Sequence, residues 1–440
     1  MLNAFVQRMS QRQFAALKVR NFRLYFGGSV ISVAGTWMQT TGQAWLVLKI
    51  TDSPLALATV ASLQFLPITL FTLFGGAFAD RFPRRPVMFI TQSLAMAQSL
   101  LLGILAATGT VEIWHIYILA ASLGMINALD GPLRQSFVSE LVDREHLPNA
   151  IALNSLVQNL GRILGPAAGG AVIGFFGVET AFFLNAASFV GILAALAILD
   201  RSQLKPRVVK ANAGSVFRQV GEGLGFARKT PRILFLLILA SFIGMFGYNF
   251  TTIIPLVATY LLDASPNQFG LLNSCLGAGS FLAAMVLAAR GRPSNARVLG
   301  ASLAFGIVLV LIGTSKSFLL SGFLFVCVGA ASVTFSTGVS TSLQLLAPDY
   351  MRGRMASMHQ LLIAGSSPVG GELTGAMVHT VSVSGALFLN GAMCCAGVAT
   401  ALVYRWRAGV TEHPGDDIEV RPVVLREPAL SEQPGAATGQ

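Results

Sequence analysis

Charge is scarce in this chain. Asp, Glu, Lys and Arg together make up 11% of its 440 residues, whereas a typical soluble domain carries about 25%. Apolar residues account for 54%. So few charges cannot cover the roughly three soluble domains that a chain of this length would otherwise form. The composition therefore excludes an ordinary soluble protein and predicts one membrane-embedded unit.

The sequence also lacks the short motifs of several enzyme classes. It contains no GxxxxGKS/T phosphate-binding loop, no HExxH zinc motif and no GxSxG nucleophile motif. Its four cysteines lie within apolar segments, at spacings that fit neither a disulfide framework nor a zinc site. We therefore expect no enzyme activity, no cofactor, no metal and no ATP-driven transport by this chain alone.

Long apolar runs dominate the sequence instead. A helix needs about 20 mostly apolar residues to cross about 30 Å of hydrocarbon, and the runs lack the ten-residue alternation of barrel strands. The sequence predicts an all-α membrane protein with twelve transmembrane helices in two six-helix halves. The predicted segments lie near 25–48, 55–79, 87–107, 114–133, 150–175, 180–199, 233–262, 269–289, 298–314, 318–346, 357–379 and 383–404.

A long basic connection separates the two groups of six segments. We expect five regions along the chain. They are a cytoplasmic N-terminal segment at 1–24, an N-terminal half at 25–199, a basic cytoplasmic linker at 200–232, a C-terminal half at 233–404 and a disordered cytoplasmic tail at 405–440.

Basic residues are unevenly distributed between the two ends of the predicted helices. Nearly all of the 30 Lys and Arg residues lie at the end that carries both termini, while Lys49 and Lys316 lie at the other. Cytoplasmic loops retain basic residues, so we expect a multi-pass protein of the inner (cytoplasmic) cell membrane with both termini in the cytoplasm. The net charge of +11 then faces anionic lipid headgroups and does not indicate nucleic acid.

The two halves resemble each other in sequence. The stretch "QSFVSELVDR" from Gln135 matches "QLLAPDYMRG" from Gln344, and Gln158 precedes Pro166 by the same spacing as Gln360 precedes Pro368. Repeats of this kind indicate a duplicated unit. Parallel six-helix repeats are an arrangement of secondary transporters with a central site.

Polar side chains follow one face of the first, fourth, seventh and tenth segments at helical spacing. We expect these faces to meet at one central cavity that binds a small-molecule substrate. The alternative is that the same side chains join neighbouring helices by hydrogen bonds. The candidate cavity residues are Thr36, Gln39, Gln43, Asn127, Tyr248, Thr252, Thr337, Thr341 and Gln344.

The stretch "GGAFADRFPRRPV" resembles the signature between the second and third helices of the major facilitator superfamily, except that Pro83 replaces a usual glycine. The resemblance implies a latch between the halves on the cytoplasmic side. Its arginines are otherwise topology anchors. The implied latch consists of Gly76, Asp80, Arg81, Arg84 and Arg85, with Asp130 and Arg134 on the fourth segment.

The fifth segment contains "GRILGPAAGG", which is similar to the motif that marks the exporter branch of this superfamily. Physically it is a small-residue face with a proline bend, suited to close helix packing. Arg162 within it is a charge deep in the membrane and therefore a functional candidate. The motif residues are Gly161, Arg162, Gly165, Pro166, Gly169 and Gly170.

Further blocks, "GTWMQTTGQAWLVL" and "DGPLRQSFVSELV" among them, resemble the enterobactin-exporter and macrolide-efflux group of the superfamily. Glu372 lies inside the eleventh segment, and Asp130 lies nearer the cytoplasmic end of the fourth. A carboxylate in the membrane can carry a coupling proton, so Glu372 is the first candidate and Asp130 the second. Glu372 is otherwise a buried partner for a polar neighbour.

These observations together predict a monomeric, proton-coupled exporter of small amphipathic molecules of the drug or siderophore type. Two alternatives stay open at this point. One is a flippase for lysophospholipid or another lipid with the same fold, and the other is a membrane-embedded binding or sensory protein that does not transport.

Overall fold

The computed structural model describes residues 14–204, 216–290 and 294–409, without the side chains of 72–81, 216–220 and 349. The first half contains six helices, preceded by a 3-10 turn at Ala15–Lys18. They are α1 at Arg20–Thr51, α2 at Pro54–Arg81, α3 at Arg84–Ala107, α4 at Ile113–Leu141, α5 at Leu147–Phe176 and α6 at Val178–Ile198.

The rest of the described chain contains nine helices and one π turn. They are α7 at Val216–Lys229, α8 at Pro231–Phe246, α9 at Phe250–Leu256, the π turn at Val257–Leu261, α10 at Pro266–Arg290, α11 at Asn295–Thr314, α12 at Phe318–Leu346, α13 at Asp349–Ile363, α14 at Ser367–Val381 and α15 at Val383–Arg407.

All twelve predicted segments fall on these helices, so the all-helical prediction is confirmed. By length and hydropathy alone, nine helical stretches of the described chain qualify as membrane spans. Helices α1 and α5 do not qualify, and neither does the eleventh segment, which is divided between α13 and α14. These helices carry many of the polar and glycine residues singled out above, which lowers their hydropathy.

Two segments predicted as single helices are interrupted. The seventh breaks between α8 and α9 at residues 247–249, and the eleventh breaks between α13 and α14 at residues 364–366. Gly247 and Gly365 favour these breaks. Pro368 lies in the first turn of α14, where a missing N–H costs little. Pro255, inside α9, removes a helical hydrogen bond just before the π turn.

The second part of the predicted basic linker, to which the sequence analysis assigned no secondary structure, contains a helix. Helix α7 occupies Val216–Lys229, where charged residues interrupt the apolar run but preserve an amphipathic period. Arg354 of α13 forms an ion pair with Glu222 of α7 at 2.8 Å. Residues 1–13, 205–215 and 410–440 lie outside the described chain, as does most of the predicted disordered tail.

The turns at one end of the bundle repeat between the halves. Asp52 after α1 and Asp263 before α10 both adopt left-handed backbone, with φ of 46° and 45°. Gly177 before α6 and Ser382 before α15 have φ of 92° and 101°. We call this end the opposite face, and the end that carries Arg84, Arg144, Arg228 and Arg352 the basic face.

Helices α5 and α10 bring the two halves into close contact. A Cβ added to Gly170 would lie 2.5 Å from the Pro266 carbonyl oxygen, and one added to Gly174 would lie 2.9 Å from Asn267. The Ser274 hydroxyl donates to the Ile163 carbonyl at 2.5 Å. Because these positions have little or no side chain, the two backbones approach closely.

Further contacts between the halves lie near the opposite face. Tyr260 donates a hydrogen bond to Asp52 at 2.8 Å, and the rings of Trp45 and Phe269 stack with centroids 6.0 Å apart. Between α2 and α14, the Ser62 hydroxyl donates to the Pro368 carbonyl at 2.8 Å. The halves are therefore closed against each other at the opposite face.

Replacing Gly170 with Val tests this packing. The added side chain would overlap the backbone of α10, so we expect a loss of about 1–3 kcal/mol of stability, measured by thermal unfolding of the purified protein. Gly27→Val is the matched control, because no atom lies within 4 Å of a Cβ added at Gly27. Equal stability of Gly170→Val and the control would contradict a close contact between α5 and α10.

Candidate functional site

A cavity of about 580 Å³ lies within the first half, on the basic-face side of the contacts between the halves. Five of the six helices of the first half contribute polar side chains to the cavity wall, and α2 contributes the apolar Ile68. Examples of the polar contributors are Thr36 of α1, Gln92 of α3, Asn127 of α4, Gln158 of α5 and Asn185 of α6. Hydroxyl and carboxamide side chains, which can both donate and accept hydrogen bonds, are interspersed with apolar side chains on its wall.

Gln39 belongs to a buried network at the inner wall of this cavity. It is 3% exposed, donates to the Gln98 side-chain oxygen at 2.9 Å, and accepts a hydrogen bond from Asn185. Three helices, α1, α3 and α6, are therefore joined through one side chain. Gln39 therefore joins neighbouring helices by hydrogen bonds and also lines the cavity.

Asp130 and Arg134 of α4 form an ion pair at 2.5 Å on the cavity wall. Thr91 and Gln92 of α3 each donate to Asp130 at 2.8 Å, and Arg134 donates to the Gln92 oxygen at 2.5 Å. The pair is thus nearly buried and surrounded by further hydrogen bonds, which a charge pair in low dielectric requires.

The arginines of the predicted latch have partners within the first half. Arg84 pairs with Glu140 of α4. Arg85 donates to the carbonyls of Leu196 and Ala197 at 2.6 and 3.0 Å, so it caps the C-terminus of α6, where a positive charge is favourable. The side chains of Gly76, Asp80 and Arg81 lie outside the described residues.

The glycine motif of α5 packs against two helices. A Cβ on Gly165 would lie 2.5 Å from the Trp37 side chain of α1, and one on Gly169 would lie 3.1 Å from the Met38 backbone. Gly161 meets α1 in the same way, while Gly170 meets α10. Arg162 is exposed, and its guanidinium lies 5.4 Å from the centroid of the Trp37 ring.

Candidate residues of the second half are divided between two places. Tyr248 lies in the break between α8 and α9 and donates to the Ser332 carbonyl of α12 at 2.5 Å. Thr337 and Thr341 line a separate cavity of about 320 Å³ between α10, α11 and α12. The structure therefore places polar faces on both halves but divides them between distinct cavities.

Three further candidates are distributed along the helices. Gln43 of α1 and Thr252 of α9 are buried, at 4% and 1% exposure. Gln344 is exposed at the basic-face end of α12 and donates to the Ser340 hydroxyl at 3.2 Å. None of these three lines either of the two cavities described above.

Glu372 of α14 is half-buried beside the contact between α2 and α14. Its neighbour Gly371 lies near the Ser62 hydroxyl of α2, and the carboxylate lies within electrostatic range of Tyr117 of α4. Within the described chain, no ion pair or hydrogen bond is formed by this carboxylate. Glu372 is thus a membrane carboxylate located between the two halves.

Sequence reasoning missed the polar residues of α3 and α6. Gln92, Gln98 and Asn185 lie in segments that were assigned no cavity face, yet they hold Asp130 and Gln39 in place. A usable signal was present, because each is a carboxamide inside an apolar segment and such groups need internal partners in a membrane.

Comparisons with known proteins agree with this architecture. Residues 11–432 match the family described as transmembrane secretion effector. The staphyloferrin A transporter of Staphylococcus aureus is 25% identical over 389 residues, covering 82% of this chain and 92% of that protein. The multidrug efflux pump Tap of Mycolicibacterium fortuitum is 26% identical over 393 residues, covering 85% and 93%.

Solved structures show the same fold. A bacterial homologue of the human lysosomal transporter Spinster, in an inward-facing and occupied conformation, matches with a TM-score of 0.67 at 14% identity, covering 91% of this chain and 97% of that one. The helices have the fold of the major facilitator superfamily. The chain belongs to the transmembrane secretion effector family, a family of transporters and not of enzymes.

The Asp130–Arg134 pair gives a direct energetic test. Asp130→Asn leaves Arg134 nearly buried without its counter-charge, so we expect a loss of about 3–5 kcal/mol in thermal unfolding. The double variant Asp130→Asn/Arg134→Gln should recover part of this loss. The Arg354–Glu222 pair, whose side chains are more exposed at 27% and 36%, is the control cycle and should couple by at most about 1 kcal/mol. Equal coupling in both cycles would contradict a structural role for the buried pair.

Proposed function

We propose that the protein exports small amphipathic molecules from the cytoplasm by alternating access, driven by proton influx. The observation that carries this proposal is the combination of a polar cavity on the basic-face side with closed contacts at the opposite face. A substrate that enters from one side and leaves from the other requires such a state and its inverse.

The orientation of the chain follows from its basic residues. Arg84, Arg144, Arg228 and Arg352 all belong to the basic face, and an excess of Lys and Arg favours the cytoplasmic side. With the basic face in the cytoplasm, both termini are cytoplasmic and the cavity opens inward. Substrate loading from the cytoplasm is then the first step of transport.

Export as the direction is supported by two observations. Relatives of this chain are named as a multidrug efflux pump and a macrolide efflux protein. The glycine face of α5, which resembles the exporter motif, forms the contact with α10 between the halves. A contact made by backbone against backbone can rock with little rearrangement of side chains.

Within the proposed cycle, the latch residues Gly76, Asp80, Arg81, Arg84 and Arg85 hold the alternate state, in which the basic face is closed. In the present state, Arg84 and Arg85 engage α4 and α6 of their own half. This arrangement suits a latch that is released while the cavity is open to the cytoplasm.

Glu372 is the proposed carrier of the coupling proton. It lies between the halves near the closed opposite face, and its carboxylate has no bonded partner within the described chain. Rocking of α14 against α2 would change its access to water. Asp130 is the weaker candidate because Thr91, Gln92 and Arg134 already occupy its oxygens, and releasing them on protonation would disrupt the cavity wall.

Glu372→Gln should abolish efflux driven by a pH gradient, because it preserves the shape of the side chain and removes the proton site. Efflux of a drug and siderophore panel would be measured in everted vesicles from cells that lack their own exporters. Downhill exchange of the same substrate should survive. Glu145→Gln, at an exposed loop position, is the matched control and should transport normally.

The proton mechanism is wrong if gradient-driven efflux persists in both Glu372→Gln and Asp130→Asn at normal protein levels. A protein that moves only lysophospholipid across the vesicle membrane would instead be a lipid flippase. Substrate binding without any transport would leave a binding or sensory protein.

A further inference from the structure

Arg162 lies at the middle of helix α5. It is fifteen residues into the 30-residue helix α5, which corresponds to about 22 Å from the start of the helix. The apolar side chains of Leu160 and Leu164 are 39% and 59% exposed, and each is about 200° around the helix from Arg162. Arg162 therefore points away from the lipid-facing side of α5.

Between Arg162 and the basic-face end of α5, the same side of the helix carries polar residues. Ser155, Gln158 and Asn159 precede it at helical spacings of seven, four and three residues, and all three line the 580 Å³ cavity. The backbone carbonyl of Arg162 lies against Gly277 of α10, where α5 and α10 come together. Arg162 is thus at the inner end of a polar stripe, at the point where the two halves close.

No carboxylate neutralises Arg162 in the described part of the chain. Asp130 is paired with Arg134, and the Glu372 carboxylate lies within electrostatic range of Tyr117. The guanidinium has no ion pair or side-chain hydrogen bond with any described residue. A cation at this depth without a counter-charge is expensive, and arginine offers a planar set of donors that suits an oxyanion.

Two aromatic side chains flank this cation. The Trp37 ring of α1 lies 5.4 Å from the guanidinium, and Tyr248, at the break between α8 and α9, is within electrostatic range. Both rings are partly exposed. They come from opposite halves of the protein, so a molecule bound at Arg162 would contact both halves at once.

We propose that Arg162 binds an oxyanion of the transported substrate, a carboxylate or a phosphate, while Trp37 and Tyr248 contact its apolar part. The substrate class is then anionic amphipathic molecules, in preference to cationic ones. This inference rests on the proposed function, since it assigns a ligand class to the proposed transport site.

The test uses ligands that differ only in charge. Pyrenebutyrate, its primary amide and pyrenebutylamine share one ring system and chain length, and binding to the full-length protein in nanodiscs is followed by energy transfer from tryptophan. We expect the anion to bind about 10-fold to 100-fold more tightly than the amide, as a charged hydrogen bond implies. Oleoyl lysophosphatidate is tested as a second anionic ligand, and it shows whether the site binds a lipid phosphate as well as a free carboxylate.

Arg162→Gln should remove this preference by weakening the anion to the level of the amide, while the affinity of the amide is unchanged. Arg162→Lys should retain part of it, because the charge remains. Arg144→Gln, on an exposed loop, is the matched control for net charge and should behave as the parent protein. Thermal unfolding of each variant shows that it is folded.

Equal or tighter binding of the amide or the amine by the parent protein would overturn the proposal. So would a parallel loss of all ligands in Arg162→Gln, or no binding of either anion to the folded protein. Transport assays separate this result from the proposed function. If a cationic drug is exported and this export is insensitive to Arg162→Gln, the proposed export function stands and the anion site is wrong. If anions bind at Arg162 but are not transported, the anion site stands and the proposed export function is wrong.

Discussion

Contact between the two halves depends on how closely helix backbones can approach. In lipid, no hydrophobic force drives one apolar helix surface against another, so association relies on close packing and interhelical hydrogen bonds. Gly170 and Gly174 of α5 meet α10 through such contacts, and Gly375 of α14 lies directly against α2. The closed opposite face, and the position of the cavity on the other side, both follow from these contacts.

The polar residues inside the membrane fall into two groups with different consequences. Gln39, Asp130 and Arg134 are satisfied by partners on neighbouring helices, so they stabilise the first half as one body. Arg162 and Glu372 have no such partner within the described chain. Unsatisfied charges are costly in a membrane, and both lie where the two halves meet. Such groups gain most from a ligand, a proton or a change of state.

The amino-acid pattern predicts the twelve segments because crossing hydrocarbon demands a fixed apolar length. It does not predict the breaks in the seventh and eleventh segments, since Gly247 and Gly365 are tolerated in many continuous membrane helices. Helix α7 was missed because a search for long apolar runs does not find a short amphipathic helix that contains several charges. The period of the polar stripes cannot distinguish a cavity from a neighbouring helix, and Gln39 faces both.

The central claim is that the two halves rock so that the cavity opens to one side at a time. Distances between spin labels test it most directly, after the four native cysteines are replaced. One pair at Ser139 and Ser357 reports the basic face, and another at Thr110 and Lys316 reports the opposite face. Between alkaline and acidic buffer, the account predicts that the first distance shortens as the second lengthens. Two unchanged distances, or two that change in the same direction, would contradict it.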